Sequence, residues 1–179
     1  MSQHRERMSK VDTAWLRMDT DANLMMIIGV WLLRPGITAE QLRERVAERL
    51  LGYPRFRQRV VEDPLMGAEW QLDPHFDLAR HVVKEELLPM RGQSRDDALR
   101  ARVGELAAQP LDPQHPLWQF QLIEDVGDGS SALIARIHHC IADGIALIAV
   151  MLSITDGGKP PPKATARSKP EPEDDHDWL

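Results

Sequence analysis

The sequence predicts an α+β (mixed α/β) fold in which helices flank a mixed sheet. Two helices are indicated by N-terminal capping signals, and several short segments have the continuous apolar or alternating pattern of strands. These helices and strands follow one another without a strict βαβ repeat. The order therefore favours a mixed sheet over a doubly wound parallel one.

The first strand and helix are predicted between residues 24 and 50. Leu24–Leu33 is a ten-residue apolar run and predicts a buried strand. Thr38 and Gln41 then form a capping box, with Thr at the N-cap and Gln three positions later. The helix that follows has an apolar face made by Leu42, Val46 and Leu50.

The middle of the chain predicts two short strands and a second helix. Arg55, Arg57 and Arg59 alternate with other residues, which predicts a strand with one basic face, and Glu69–Leu72 predicts another strand. Ser94 and Asp97 form a second capping signal. The apolar face of this helix comprises Leu99, Val103, Leu106 and Ala107, and Pro110 ends it.

Two adjacent strands are predicted next. Trp118, Phe120 and Leu122 alternate along the first, Gly127–Gly129 is typical of a hairpin turn, and Ser131–Ile137 forms the second. After two histidines, Asp143 is a favoured N-cap. It predicts a largely buried helix with apolar positions at Ile145, Leu147, Ile148, Met151 and Leu152.

The histidine pair is the strongest indication of chemistry. His138 and His139 interrupt an apolar stretch, although buried imidazoles cost free energy unless they are hydrogen-bonded. Neighbouring side chains on a strand point to opposite faces, so we expect one catalytic or ligating histidine and one structural histidine. Gly144 lets the backbone turn tightly or a ligand approach.

Other interpretations of these residues are possible. Both histidines could simply be packed in the core. A zinc site is disfavoured because adjacent histidines diverge and Asp143 adds only one ligand, and Cys140 as a nucleophile has no evident third orienting group. The remaining histidines His75, His81 and His115 lack a spacing or partners that suggest a site.

The motif and its surroundings resemble a known family. The segment 138–144, HHCIADG, matches the HHxxxDG motif of the CoA-dependent acyltransferase superfamily, which includes chloramphenicol acetyltransferase and peptide-synthetase condensation domains. Pro116–Trp118 with the strand after it resembles the PLW segment of bacterial wax ester synthase/diacylglycerol acyltransferases. Residues 54–59 and 9–12, with the Met25–Ile27 run, are similar to other segments of that family.

The resemblance implies acyl transfer from a long-chain acyl-CoA to the hydroxyl of a fatty alcohol or a diacylglycerol. It makes His139 the general base and His138 a supporting residue. Asp143 would hold the shape of the site, often through an arginine, with Arg136 and the 55–59 arginines as candidates, and Gly144 would keep the substrate path open. Acyl-CoA is then a substrate, with no bound cofactor and no metal.

The resemblance also predicts an incomplete enzyme. Residues 1–157 would be an N-terminal, chloramphenicol acetyltransferase-like half, and the Pro-rich, charged residues 158–179 a disordered linker to a C-terminal half that is absent. The family's tunnel lies between two halves, so we expect a partner polypeptide. The alternatives are a non-catalytic lipid-binding or assembly half, or another HHxxxDG acyltransferase of polyketide-associated or condensation type.

Composition limits the other function classes. The 179 residues carry a net charge of −6, which gives no support for nucleic-acid binding. The single cysteine, Cys140, excludes an internal disulfide and suits a reducing compartment. The N-terminal residues lack the apolar core of a signal peptide. We expect a cytoplasmic protein, with peripheral attachment to a membrane or lipid droplet left open.

Overall fold

The computed structural model describes residues 5–63 and 67–141, together with 152 and 154. In these ranges the strands are β1 (Arg5–Arg7), β2 (Met26–Leu33), β3 (Gln58–Asp63), β4 (Gly67–Leu72), β5 (Val82–Glu85), β6 (Trp118–Gly127) and β7 (Ser130–His138). The α-helices are α1 (Lys10–Met18), α2 (Ala39–Arg49), α3 (Leu78–His81) and α4 (Arg95–Ala107), and a 3₁₀-helix covers Pro54–Arg57.

A four-stranded mixed sheet organises the fold. Its strand order is β2-β7-β6-β5, with β7 antiparallel to both of its neighbours and β5 parallel to β6. The predicted hairpin joins β6 to β7, and its central residues Asp128 and Gly129 both have positive φ, at 52° and 65°. This is the backbone that a two-residue hairpin requires and that Asp-Gly favours.

Helices cover both faces of this sheet. On one face Trp118, Phe120 and Leu122 pack, as predicted, with the buried face of α2 and with Trp70 of the second sheet. On the other face Ile123, Ala132 and Ile134 pack against Leu99 and Leu106 of α4. All nine residues of β7 are buried. The histidine pair therefore lies at the end of an interior strand that is enclosed on both faces.

The second sheet has three antiparallel strands in the order β1-β4-β3. It contradicts the prediction of a basic strand face over 55–59, because Arg55 and Arg57 belong to the 3₁₀-helix and only Arg59 lies on β3. Pro54 occupies the first turn of that helix, where its fixed φ is favourable. The three arginines consequently do not form one stripe.

The first predicted strand is present but is less buried than expected. β2 is the edge strand of the mixed sheet, and Val30 and Leu32 on its outer face are 43% and 68% exposed. The opposite face carries Ile27, Trp31 and Leu33, which pack on the core. The strand was predicted to be buried because its sequence is apolar throughout, but only one of its faces is buried. A continuous apolar run therefore does not require an interior strand.

Both predicted helix starts are confirmed. The Thr38 side chain accepts a hydrogen bond from the Gln41 amide, and the Thr38 amide donates to Oε1 of Gln41 at 2.9 Å. The Ser94 hydroxyl oxygen accepts a hydrogen bond from the Asp97 amide, and the hydroxyl donates to the Asp97 carboxylate. Ser94 therefore caps α4, but the second half of a capping box, from the Ser94 amide to Asp97, is not formed. None of the helices in the described ranges is long and apolar enough to cross a membrane.

Candidate active site

The end of β7 holds the histidine pair through backbone hydrogen bonds. The amide of His138 donates to the carbonyl of Leu117 at 3.0 Å, and the amide of His139 donates to the carbonyl of Met25 at 2.8 Å. The pair is therefore fixed between the start of β2 and the start of β6. The pair therefore lies at the C-terminal end of β7, and the β6–β7 hairpin lies at the other end of that strand.

The His138 ring is a buried group with a defined tautomer. Its Nδ1 accepts a hydrogen bond of 3.1 Å from the Cys140 amide, so the proton of the neutral ring is on Nε2. Asp19 lies 3.8 Å from that Nε2, too far for a direct hydrogen bond. Desolvation lowers the pKa of His138, although Asp19 opposes that effect. His138 is thus held neutral and supports the turn that follows it.

His139 has different surroundings from His138. Its ring stacks on the indole of Trp15, with the centroids 4.5 Å apart and the planes at 19°. The residue is only partly buried, and its Nδ1 has no hydrogen-bond partner among the described residues. A half-buried imidazole held by one aromatic face can exchange a proton with a bound substrate.

Cys140 is unsuited to nucleophilic catalysis in this environment. Its side chain is 1% exposed, and burial raises the pKa of the thiol to about 12. The thiolate is the reactive form of cysteine, and almost none is present near neutral pH. This agrees with the prediction that Cys140 is not a nucleophile with a third orienting group.

The proposed structural residues of the motif, Asp143 and Gly144, lie outside the described residues, as does the predicted helix from Ile145 and the 158–179 linker. The candidate partners of Asp143 can be placed. Arg136 donates to the carbonyls of Leu106 and Gln109 at the end of α4, and Arg55 pairs with Glu6. Each guanidinium is thus already engaged elsewhere.

Helix α1 contributes residues that the sequence analysis did not assign to the site. Trp15 stacks on His139, and Asp19, the C-cap of α1, accepts a 2.6 Å hydrogen bond from the Met25 amide. The available signal was Ser9, whose side chain caps α1 by accepting from the Asp12 amide three positions later. That spacing predicts a helix, but it does not show which residue Trp15 touches.

A second polar cluster, remote in sequence from the motif, was also missed. His115 donates from Nδ1 to Asp73 at 2.8 Å, and His81 donates from Nδ1 to the Trp118 carbonyl at 2.7 Å. The prediction that His81 and His115 lack partners is therefore wrong. Asp73, His81 and His115 are brought together only by the folding of three separate segments around the start of β6.

Comparison with known proteins then identifies the family. The model of the wax ester synthase/diacylglycerol acyltransferase catalytic domain matches residues 8–178. The chain belongs to this family. The resemblance drawn from HHxxxDG and the PLW segment is confirmed.

Two mycobacterial relatives illustrate the similarity. The probable diacylglycerol O-acyltransferase tgs3 of Mycobacterium tuberculosis (strain ATCC 25618 / H37Rv) is 33% identical over 162 residues, covering 87% of this chain and 58% of that protein. The probable diacylglycerol O-acyltransferase tgs1 of the same strain is 34% identical over 154 residues, covering 83% of this chain and 33% of that protein. This family member therefore spans between a third and three fifths of these relatives.

Solved structures confirm the fold class. The wax ester synthase/diacylglycerol acyltransferase from Marinobacter aquaeolei VT8 superposes with a TM-score of 0.64 at 23% identity, covering 81% of this chain and 37% of that one. The starter condensation domain of rhizomide synthetase RzmA gives 0.66 at 16% identity, covering 88% and 40%. A mixed α/β fold, with helices flanking a mixed sheet, is what the sequence predicted.

No cluster of three or more metal-ligating side chains occurs in the part of the chain that the structure describes. The two motif histidines have separate neighbours, Asp19 for one and Trp15 for the other. The two imidazoles consequently differ in environment, one buried and hydrogen-bonded to the Cys140 amide and the other partly buried and stacked on an indole.

Proposed function

We propose that this chain is the histidine-bearing half of an O-acyltransferase that moves a fatty acyl group from a long-chain acyl-CoA to the hydroxyl of a fatty alcohol or a diacylglycerol. The observation that carries the proposal is His139, half-buried at the end of β7 and stacked on Trp15, within a chain of this family. The mycobacterial relatives are named as diacylglycerol acyltransferases, which supports the same acceptor class.

In the proposed reaction His139 acts as a general base. An alcohol is almost wholly protonated at neutral pH, so its oxygen is a weak nucleophile. His139 removes the hydroxyl proton as the oxygen attacks the thioester carbon, an assistance typically worth about 10²–10⁴-fold. When the tetrahedral intermediate collapses, the C–S bond breaks and the imidazolium returns the proton to the CoA thiolate. No covalent enzyme intermediate is required.

The neighbours of His139 have positioning roles in this scheme. Trp15 limits rotation of the imidazole through the ring stack, which contributes on the order of 0.5–1.5 kcal/mol. His138 accepts from the Cys140 amide and so fixes the turn that carries His139 out of the strand. Preorganisation of this kind orients the base before substrate arrives.

We assign substrate binding to the tunnel between the two halves of the family fold. That tunnel requires the part of the relatives' sequence that this chain does not match. The starter condensation domain crystallised with C8-CoA has the same fold at a TM-score of 0.63, which supports acyl-CoA as the donor. We therefore propose that turnover requires a polypeptide that supplies the second half. Peripheral attachment to a membrane or lipid droplet stays a proposal for that assembled enzyme.

The test measures CoA release from a long-chain acyl-CoA with hexadecanol or a diacylglycerol as acceptor. The chain is assayed together with a polypeptide that supplies the missing length. His139→Ala should lose at least about 10²-fold in rate, with an unchanged circular dichroism spectrum. Trp15→Leu should lose roughly ten-fold, and Trp15→Phe should restore most of the rate because the ring stack returns. Near-normal turnover in His139→Ala would refute the base assignment.

The same assay separates the proposal from its alternative, a half that binds lipid without catalysis. In that case wild-type and His139→Ala chains would bind acyl-CoA equally and neither would release CoA in the assembled sample. Release with an amine acceptor but not with an alcohol would instead indicate a condensation-type enzyme.

A further inference from the structure

A pocket beside the PLW segment contains buried polar atoms that the proposed acyl transfer does not use. Its volume is about 410 Å³, within the usual range of small-molecule sites of roughly 300–1,000 Å³. Pro116, Trp118 and Gln119 from the start of β6 line one side. The polar lining residues are Arg80, His81, Asp112, His115 and Arg136.

Arg136 brings a buried charge to this pocket. The residue is 4% exposed, and no carboxylate among the described residues lies within ion-pair distance of it, although the charge of Glu85 acts on it from farther away. Its two terminal nitrogens donate to Leu106, Gln109 and Gln119, but its buried Nε has no partner among the described residues. A buried guanidinium with an unused donor is costly, so an anion that reaches it is favoured.

His81 contributes an unused acceptor. It is 4% exposed, and its Nδ1 donates to the Trp118 carbonyl, which leaves a lone pair on Nε2. That Nε2 is buried and has no partner among the described residues. The ring is clamped between Phe76 and Trp118, with centroids at 5.1 and 4.5 Å, so it cannot turn to find another donor.

Arg80 and His115 complete the lining. Arg80 is exposed, and its Nη1 lies 3.4 Å from Nε2 of His115, whose Nδ1 donates to the buried Asp73. Asp112, the one carboxylate in the lining, accepts from the Gln114 amide through its Oδ1. The lining thus presents two guanidinium groups and a histidine lone pair that requires a proton donor.

We propose that this pocket binds a hydrogen phosphate group, whose oxygens accept from Arg80 and Arg136 and whose P–OH donates to His81. A carboxylate or sulfate supplies only acceptors near neutral pH, and it would leave the His81 lone pair unmatched. Phosphate keeps at least one proton at that pH. A water molecule could occupy the same place, but it would not neutralise Arg136.

Calorimetric titration of the whole 179-residue chain at pH 6.5 and constant ionic strength tests the proposal. Inorganic phosphate should bind about ten-fold or more tightly than sulfate, because one buried hydrogen bond distinguishes them. Arg80→Gln, at an exposed position, should weaken phosphate binding by about ten-fold. The matched control Arg91→Gln, at an exposed arginine outside the pocket, should leave it unchanged.

A methyl phosphate titration distinguishes the free ion from the terminal phosphate of a small molecule. Binding of both assigns the site to monoesters as well, and binding of inorganic phosphate alone assigns it to the free ion. In either case the ¹⁵N resonance of His81 Nε2 should shift on saturation. Equal binding of phosphate and sulfate, an unaffected Arg80→Gln, a static His81 resonance or no binding at all would overturn the proposal.

Discussion

At the scale of the residue, the surroundings rather than the residue type separate the two motif histidines. His138 is enclosed and hydrogen-bonded to the Cys140 amide, whereas the partly buried His139 stacks on Trp15. The alternation of side chains along a strand predicted that the rings of His138 and His139 would point in different directions. In agreement, the two rings have different neighbours. The strand itself ends at His138, so the turn after it, rather than strand geometry alone, orients His139.

Burial of neutral histidines predicts acid sensitivity. Desolvation lowers the pKa of His81 and of His138 in the folded protein. Unfolding restores ordinary values of about 6.5, so the unfolded chain binds more protons below that pH and is favoured. Each histidine should reduce the free energy of unfolding by up to about 1.4 kcal/mol per pH unit below about pH 6.5, until its lowered folded pKa is reached.

Urea unfolding at pH 7.5, 6.5 and 5.5 measures this loss. His81→Phe keeps an aromatic ring between Phe76 and Trp118 and should remove roughly half of the pH slope. The exposed His75 provides the control, since His75→Asn should leave the slope unchanged. A free energy of unfolding that is constant from pH 7.5 to 5.5 would contradict the expected protonation.

At the scale of the element, helix ends are defined by local hydrogen bonds. The capping box of α2 satisfies backbone amides at its N-terminus. In addition, Glu124 of β6 accepts from the Ala39 amide at 2.9 Å. Lys84 and this amide hold the pKa of Glu124 below its ordinary value. A local signal and a distant carboxylate therefore position the same helix end.

Removal of the Thr38 cap should destabilise the protein modestly. Thr38→Ala leaves the Gln41 amide without its side-chain acceptor and should cost about 1 kcal/mol. The expected observation is a lower midpoint of denaturant unfolding with an unchanged slope. Thr38→Ser, which keeps the hydroxyl, is the control and should unfold close to the wild-type midpoint. Equal midpoints for Ala and Thr would show that Glu124 alone secures the helix.

The sequence predicted elements better than the contacts between them. The capping box of α2, the Asp128–Gly129 turn and the alternation in β6 are local signals, and all three are present in the structure. The strand at 55–57 was wrong because Pro54 favoured a 3₁₀ turn over the alternating pattern. Trp15 and Asp73 meet their histidines only through tertiary packing, which leaves no periodic trace in the sequence.

At the scale of the whole molecule, apolar groups remain at the open side of the mixed sheet. Edge strand β2 exposes Val30 and Leu32, and an unpaired edge with apolar side chains favours pairing with another chain. In the assembled enzyme that we propose, other polypeptide would cover such surface. The isolated chain should instead associate with itself.

Light scattering of the isolated chain across a concentration series should show dimers or larger species. Leu32→Lys places a charge on the exposed face and should shift the population toward monomer without loss of secondary structure. Glu62→Lys, on the exposed end of β3, serves as a control and should not. A monomer at all concentrations that also releases CoA unaided would refute the half-enzyme proposal.

The pairing of β2 with β7 has a consequence during synthesis on the ribosome. Met26 is paired with His138 and Leu33 with Ser131, so the edge strand emerges roughly 100 residues before its only neighbour in the described sheet. At translation rates of about 5–20 residues per second, that interval lasts on the order of 5–20 s. Throughout it, the apolar segment around Ile27 and Trp31 lacks its partner β7 and is available to chaperones.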